Sequence, residues 1–179
     1  MRVAHMSGTT MFGLDLSRKL VVAVGGGAVG TRRARDLVQR GARVRVISPQ
    51  ISDDLAAMAA AGEVIWVRRD YAGAHDLAGA WLVHTATGIP LVDDSVARDA
   101  DAAHTWCINA SHGAGGSAVT PARLRHESAA GPIDVAITAS GNPRRAASVK
   151  ASIASAFKAG RIDTHRHRVR VLHDRKVAG

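Results

Sequence analysis

Three glycines, Gly25, Gly27 and Gly30, fall in the G-x-G-x-x-G spacing inside KLVVAVGGGAVGTRRARDLV, residues 19–38. Glycines so spaced permit a tight turn, let backbone approach a pyrophosphate, and let a helix pack closely on a strand. The chemistry they imply is dinucleotide binding, with phosphate held by the free N–H groups and dipole of a helix N-terminus. Six residues alone are a weak signal, and their surroundings strengthen it. An apolar, β-branched run from Leu20 to Val24 enters the glycines, while Val29, Ala34, Leu37 and Val38 leave them at helical spacing. Other chemistry-bearing residues are few. Cys107 is the single cysteine, which excludes an intrachain disulfide and a cysteine-cluster metal site, and its apolar setting TWCIN predicts a core thiol. His84 lies within an apolar run and reads as a core or crevice histidine, and the His165-x-His167 pair reads as incidental to a tail, not as a metal site.

The elements that must position the glycines follow in a regular order. ARVRVIS predicts a second strand ending near Ser48, and ISDDLAAMAAAG a helix capped by Ser52 and stopped at Gly62. EVIWVRR, GAWLVHTATG and HTWCINAS supply three more strands, with PLVDDSVARDADAA a helix between the last two. Strands alternating with helices imply a parallel sheet covered on both faces, an α/β, Rossmann-like doubly wound fold. The rhythm changes near residue 113. SAVTPARLRHES and GPIDVAITAS predict a β-hairpin joined across AAGP, followed by a helix from about Asn142 to Lys158. A hairpin and helix of this size need a surface to pack on, so this part is expected to be a dimerisation region. The expected organisation is a dinucleotide-binding domain over residues 14–113, a dimerisation and substrate region over 114–160, and a basic tail or linker over 161–179.

Composition narrows the function classes. With 179 residues, 46% of them apolar, the chain can bury one substantial core. No window approaches a membrane-spanning run and no signal segment opens the chain, so a cytoplasmic protein without a membrane partner is expected, with MRVAHMSGTT a loose leader. The net charge of +9 invites a nucleic-acid reading. Much of that charge is terminal: Arg161, Arg166, Arg168, Arg170, Arg175 and Lys176 stand against only Asp163 and Asp174. Aromatic residues are 3% of the chain, so base stacking has little to work with, and no nucleic-acid partner is expected.

The order of motifs resembles the precorrin-2 dehydrogenase and sirohydrochlorin ferrochelatase family, the N-terminal part of siroheme synthase. The resemblance is carried by VVAVGGGAVGTRRARDLVQRGARVRVISP, DLAGAWLVHTATG, TWCINAS, AVTPA and DVAITASGNPRRAASVKASI, in that order. It implies NAD-dependent oxidation of precorrin-2 to sirohydrochlorin, insertion of ferrous iron in some members, a homodimer, and a fused or partner uroporphyrinogen-III methyltransferase. By position, Gly25, Gly27, Ala28, Val29 and Gly30 would surround the pyrophosphate, with Ser48, Pro49 and Gln50 after the second strand. Thr85, Ala86, Thr87 and Gly88 would line the crevice at the end of the fourth. Arg144, Arg145 and Lys150, at or near the start of the last helix, would meet the carboxylates of the tetrapyrrole.

Two departures from these patterns matter. The acid that normally follows the second strand to bind the adenosine ribose is replaced by Ser48 and Pro49; NAD is still expected, although Arg43 and Arg45 leave NADP open. Those arginines read first as the solvated face of an edge strand. The family's proposed catalytic aspartate, serving as general base and in metal insertion, maps onto Ser111, followed by His112. A serine is no proton acceptor at neutral pH, whereas a histidine is, so Ser111 and His112 form the candidate catalytic pair and iron insertion is the activity in doubt. The alternative is a catalytically silent dinucleotide-binding module, kept for assembly with a methyltransferase or for sensing the NAD/NADH ratio.

Overall fold

A computed structural model describes residues 9–111 and 115–164. The chain falls into two compact units divided after Thr120. The first contains strands β1 (Leu20–Val24), β2 (Arg43–Ile47), β3 (Val64–Val67), β4 (Leu82–Thr85) and β5 (Trp106–Asn109), with helices α1 (Ala28–Gln39), α2 (Asp53–Ala60) and α3 (Pro90–Ala102). All five strands are parallel, in the order β3-β2-β1-β4-β5. This is the expected doubly wound sheet, and its order reverses between β1 and β4.

Every residue of β1 except its first is buried, because α1 and α2 cover one face and α3 the other. The strand period of two divides its side chains between the layers. Val21 and Ala23 join Ala34, Leu37, Val44, Val46, Leu55 and Met58, while Val22 and Val24 join Leu77, Val83, Val96, Ala100 and Cys107. Burial pushes the Cys107 thiol up to about 11, so it packs as an inert apolar group, as its setting predicts. Ser52 caps α2 by accepting from the Leu55 N–H.

No α-helix joins β3 to β4. A loop with one 3-10 turn, Ala74–Leu77, makes this crossover, and buried Asp76 organises it by accepting from the Arg69 guanidinium and the Ala72 N–H. Arg69 holds the Asp76 carboxyl down at about 2, against the opposing effect of burial. Residues 116–118 belong with this unit: the Ala118 N–H donates to Cys107 O, and Ser117 Oγ accepts from the Cys107 N–H.

The second unit is an antiparallel hairpin, β6 (Ala122–Ser128) and β7 (Gly131–Ile137), with helix α4 (Pro143–Lys158). Asn142 caps α4 by accepting from the Arg145 N–H, and Pro143 occupies the first turn, where it costs no hydrogen bond. Alternate hairpin residues are half-buried, and the His126 ring stacks on Phe157 of α4 at 4.2 Å. The opposite face carries exposed Arg123, Arg125, Glu127 and Asp134, linked in surface ion pairs.

Candidate functional site

At the carboxyl ends of β1, β2 and β4 the chain leaves the sheet in three adjacent loops. Register places Val24 beside Ile47 on one side and Thr85 on the other. The ladder runs one bond further, with Gly25 N–H donating to Ile47 O and Ala86 N–H to Val24 O. Between these loops lies a cleft of about 320 Å³, lined among others by Gly25, Gly26, Gly27, Ser48, Pro49, Gln50, Asp70, Tyr71 and Thr87. It stands where the strand order reverses, the position at which open α/β sheets bind ligands.

The glycines of the turn are distinguished by what a side chain would meet. At Gly25, which has φ +107°, a Cβ would lie 2.4 Å from Ala86 O, so the β1 and β4 loops touch only because the side chain is missing. At Gly30 it would lie 2.3 Å from Gly25 O, which is how α1 packs down onto the turn. Gly26, outside the spacing pattern, is equally constrained, by Gln50 O at 2.4 Å. Gly27 differs: a Cβ there meets nothing within 4 Å, and this residue is the N-cap of α1. Among the described residues no side chain caps this helix and no acidic residue occupies its first turn, so the N–H groups of Ala28, Val29 and Gly30 are left unsatisfied by the helix itself beside the cleft. Open space beside uncapped donors at a helix N-terminus fits a pyrophosphate.

Buried Asp93, in the first turns of α3, ties the fourth-strand loop to the end of β5. Its carboxylate accepts from Thr85 Oγ1, from the Thr87 N–H at 3.0 Å, from Thr87 Oγ1 at 2.8 Å, and from Ser111 Oγ. Burial alone would raise the Asp93 carboxyl; these donors outweigh it and hold the group below the usual carboxylate range. Sequence reasoning missed Asp93, although an acid early in a helix that follows a threonine-rich loop is a capping signal. Tyr71, another cleft residue the sequence did not single out, donates its hydroxyl to Asp99 of α3 at 2.7 Å.

Of the residues expected at the site, Gly25, Gly27, Ser48, Pro49, Gln50 and Thr87 come together around the cleft. Ala28, Val29 and Gly30 form the first turn of α1, Ala86 supplies the carbonyl against Gly25, and Gly88 takes φ +77° in the same loop as Thr87. Thr85 is buried and engaged with Asp93. Ser111 stands at the end of β5 with its hydroxyl committed to Asp93, and His112 lies outside the described residues, as do His165 and His167. In the second unit Arg144 and Arg145 are exposed in the first turn of α4. Lys150, half-buried, lies roughly a third of a turn around the helix from them, so the three do not share one face.

Two arginines are corrected. β2 is an inner strand between β1 and β3, not an edge, because β3 pairs along its outer side. Arg43 sits at its amino end, opposite Leu20 and away from the cleft, and Arg45 is half-buried with its guanidinium 3.5 Å from Asp76 O. Neither is among the residues lining the cleft. His84 is buried as expected, on the same layer as α1, with no partner for either ring nitrogen among the described residues. Burial, and then nearby Arg33, push its pKa down to about 4, so the ring is neutral at physiological pH.

A family model described as "Putative NAD(P)-binding" matches residues 12–122, the span that holds the sheet and the cleft. The chain belongs to this NAD(P)-binding family. Within curated proteins it is 46% identical over 72 residues to siroheme synthase 1 of Aeromonas salmonicida, covering 40% of this chain and 15% of that protein. It is 33% identical over 130 residues to siroheme synthase 1 of Aeromonas hydrophila, covering 72% and 27% respectively. It is 34% identical over 83 residues to the precorrin-2 dehydrogenase of Priestia megaterium, covering 46% and 41%. These matches therefore take in less than half of each relative. The solved structure of SirC, a precorrin-2 dehydrogenase, has the same fold, with a TM-score of 0.68 at 24% identity over 82% of this chain and 70% of that one. The likeness read from the motifs is borne out, and NAD(P) is the cofactor class the family binds. Among the described residues no helix is long and apolar enough to cross a membrane.

Proposed function

We propose that the chain is an NAD-dependent dehydrogenase that oxidises precorrin-2 to sirohydrochlorin in siroheme synthesis, acting as a cytoplasmic homodimer. The observation that carries this reading is the cleft at the sheet's reversal point, with Gly27 open beside an uncapped helix N-terminus, in a chain whose relatives are siroheme synthases and a precorrin-2 dehydrogenase. When bound, NAD would supply the acceptor for a hydride leaving the tetrapyrrole. The chain's own residues position the reactants. The N–H groups of residues 28–30 hold the pyrophosphate, and the Asp93-anchored loop at Thr87 forms the wall on the β4 side. Arg144 and Arg145 are the proposed contacts for the substrate's carboxylates, and His112 the proposed proton acceptor.

Ser111 donates its hydroxyl to Asp93, so the place of the family's aspartate offers no carboxylate base, and proton uptake there is left to His112 alone in this reading. Iron insertion requires pyrrole protons to be accepted nearby, and the reading therefore assigns this chain oxidation without efficient iron insertion. A fused or partner uroporphyrinogen-III methyltransferase belongs to the same reading. The engaged Ser111 also favours a second reading, a silent NAD(P)-binding module. An anaerobic assay of precorrin-2 with NAD, followed by absorbance, separates the two. Sirohydrochlorin formed in step with NADH is expected; NAD binding without turnover would leave only the module.

A further inference from the structure

Among the described residues the cleft holds one charged side chain. Its lining contains glycines, apolar residues, Ser48, Gln50, Thr87 and Tyr71, no lysine or arginine, and a single carboxylate, Asp70. Everything around that carboxylate is fixed. The Arg69 guanidinium is bound by the Asp76 carboxylate and also donates to the carbonyl of Asp70, the Ala72 N–H donates to Asp76, and the Tyr71 hydroxyl is held by Asp99. The Asp70 carboxylate itself is exposed and has no hydrogen-bond or ion-pair partner among the described residues. A loop anchored on both sides thus presents one unpaired acceptor to the cleft.

Its position identifies what it would face. The pyrophosphate lies at the turn between β1 and α1, and in this fold the adenosine extends from there across the end of β2. The loop after β2 offers that half little. Ser48 spends its hydroxyl on Gln50 O at 2.6 Å, its carbonyl accepts from Trp66 Nε1 at 2.9 Å, and Pro49 has no donor. Asp70 follows β3, the neighbour of β2, and closes the cleft on that side. From this we infer that Asp70 does the work of the acid absent after β2: it accepts from the adenosine half of the dinucleotide and excludes a 2′-phosphate, making the cleft selective for NAD over NADP. A phosphate there would meet that carboxylate, and no lysine or arginine is among the described lining residues to neutralise either. Arg69, the nearest guanidinium in sequence, is already engaged by Asp76.

The inference rests on the cofactor reading above, and its test separates the two. NAD and NADP are titrated calorimetrically into the unmodified chain and into Asp70→Asn and Asp70→Lys. Asp70 is exposed and unpaired, so both variants are expected to melt with the parent. The parent should bind NAD more tightly than NADP. Asp70→Asn should tighten NADP about tenfold, the scale of removing one unit charge beside a doubly charged phosphate in a solvent-exposed cleft, and Asp70→Lys should reverse the preference. An unchanged NAD to NADP ratio in both variants, or a parent that prefers NADP, would overturn the assignment of Asp70 while leaving the cofactor reading intact. Binding of neither dinucleotide to the parent would overturn the cofactor reading and this inference with it.

Discussion

Gly27 and Gly30 are three residues apart, yet substitution should damage different properties. At Gly27 a Cβ meets nothing within 4 Å, and the backbone at φ −75°, ψ −172° is the extended conformation that N-cap side chains adopt. Gly27→Asp therefore adds a capping carboxylate to a helix that has none. It should hold or raise stability by a few tenths of a kcal/mol, with a similar gain from the helix dipole. The same carboxylate would stand where the pyrophosphate lies. Two unit charges 4 Å apart repel by about 4 kcal/mol at an effective dielectric of about 20, and a loss of only about 2.7 kcal/mol already weakens binding about a hundredfold. NAD affinity should thus fall by about a hundredfold or more in a protein that melts no earlier than the parent. Gly30→Ala is the opposite case: its Cβ would be 2.3 Å from Gly25 O, a backbone atom that cannot swing aside. Overpacking of that kind costs about 1–3 kcal/mol, so this variant should melt early. Calorimetric titration with NAD and thermal melting by circular dichroism read the two quantities independently. If Gly27→Asp binds NAD as tightly as the parent, the glycine turn is not the pyrophosphate site, whatever the family match. A Gly30→Ala protein as stable as the parent would remove the packing argument.

Ser111→Asp would replace the hydroxyl that donates to buried Asp93 with a second carboxylate. One of the pair must then titrate with a raised pKa, so the variant should lose about 1–3 kcal/mol at neutral pH and regain it as the pH falls through that raised value. Adding Asp93→Asn should recover stability at pH 7, and denaturant melts showing no coupling between the two positions would contradict the contact. His84 supplies a pH dependence of its own. Its folded pKa of about 4 lies below the ordinary value of 6.5, so the unfolded chain takes the proton first and stability falls as pH drops from about 6.5 towards 4. The loss approaches about 3 kcal/mol only below about pH 4, where the folded ring is protonated as well. His84→Gln should flatten that part of the profile, and an unaltered profile would place the acid sensitivity elsewhere.

The repetition of apolar strand, polar turn and amphipathic helix determined the doubly wound sheet from the sequence alone. Such periodicity is local, and burial on both sheet faces demands it. The glycine spacing was equally readable, because at Gly25 and Gly30 a Cβ would strike backbone and only glycine is tolerated. Caps at Ser52 and Asn142 and the hairpin across residues 129–130 are likewise encoded within a few residues of where they act. What the sequence could not decide was which distant groups meet. Asp93 is one acid among fifteen, and only the approach of β4, β5 and α3 puts Thr85, Thr87 and Ser111 around it. Arg43 and Arg45 alternate with valines as they would on an edge strand, and only the order of strands shows that β2 lies inside the sheet. Asp70 sits in a polar stretch like many others, and lines the cleft as its one charge among the described residues because Asp76 and Asp99 anchor the residues on either side of it. Periodicity and turn chemistry are short-range and survive as sequence patterns; a hydrogen bond between residues eighteen apart, such as that of Ser111 with Asp93, leaves no pattern until the chain has folded.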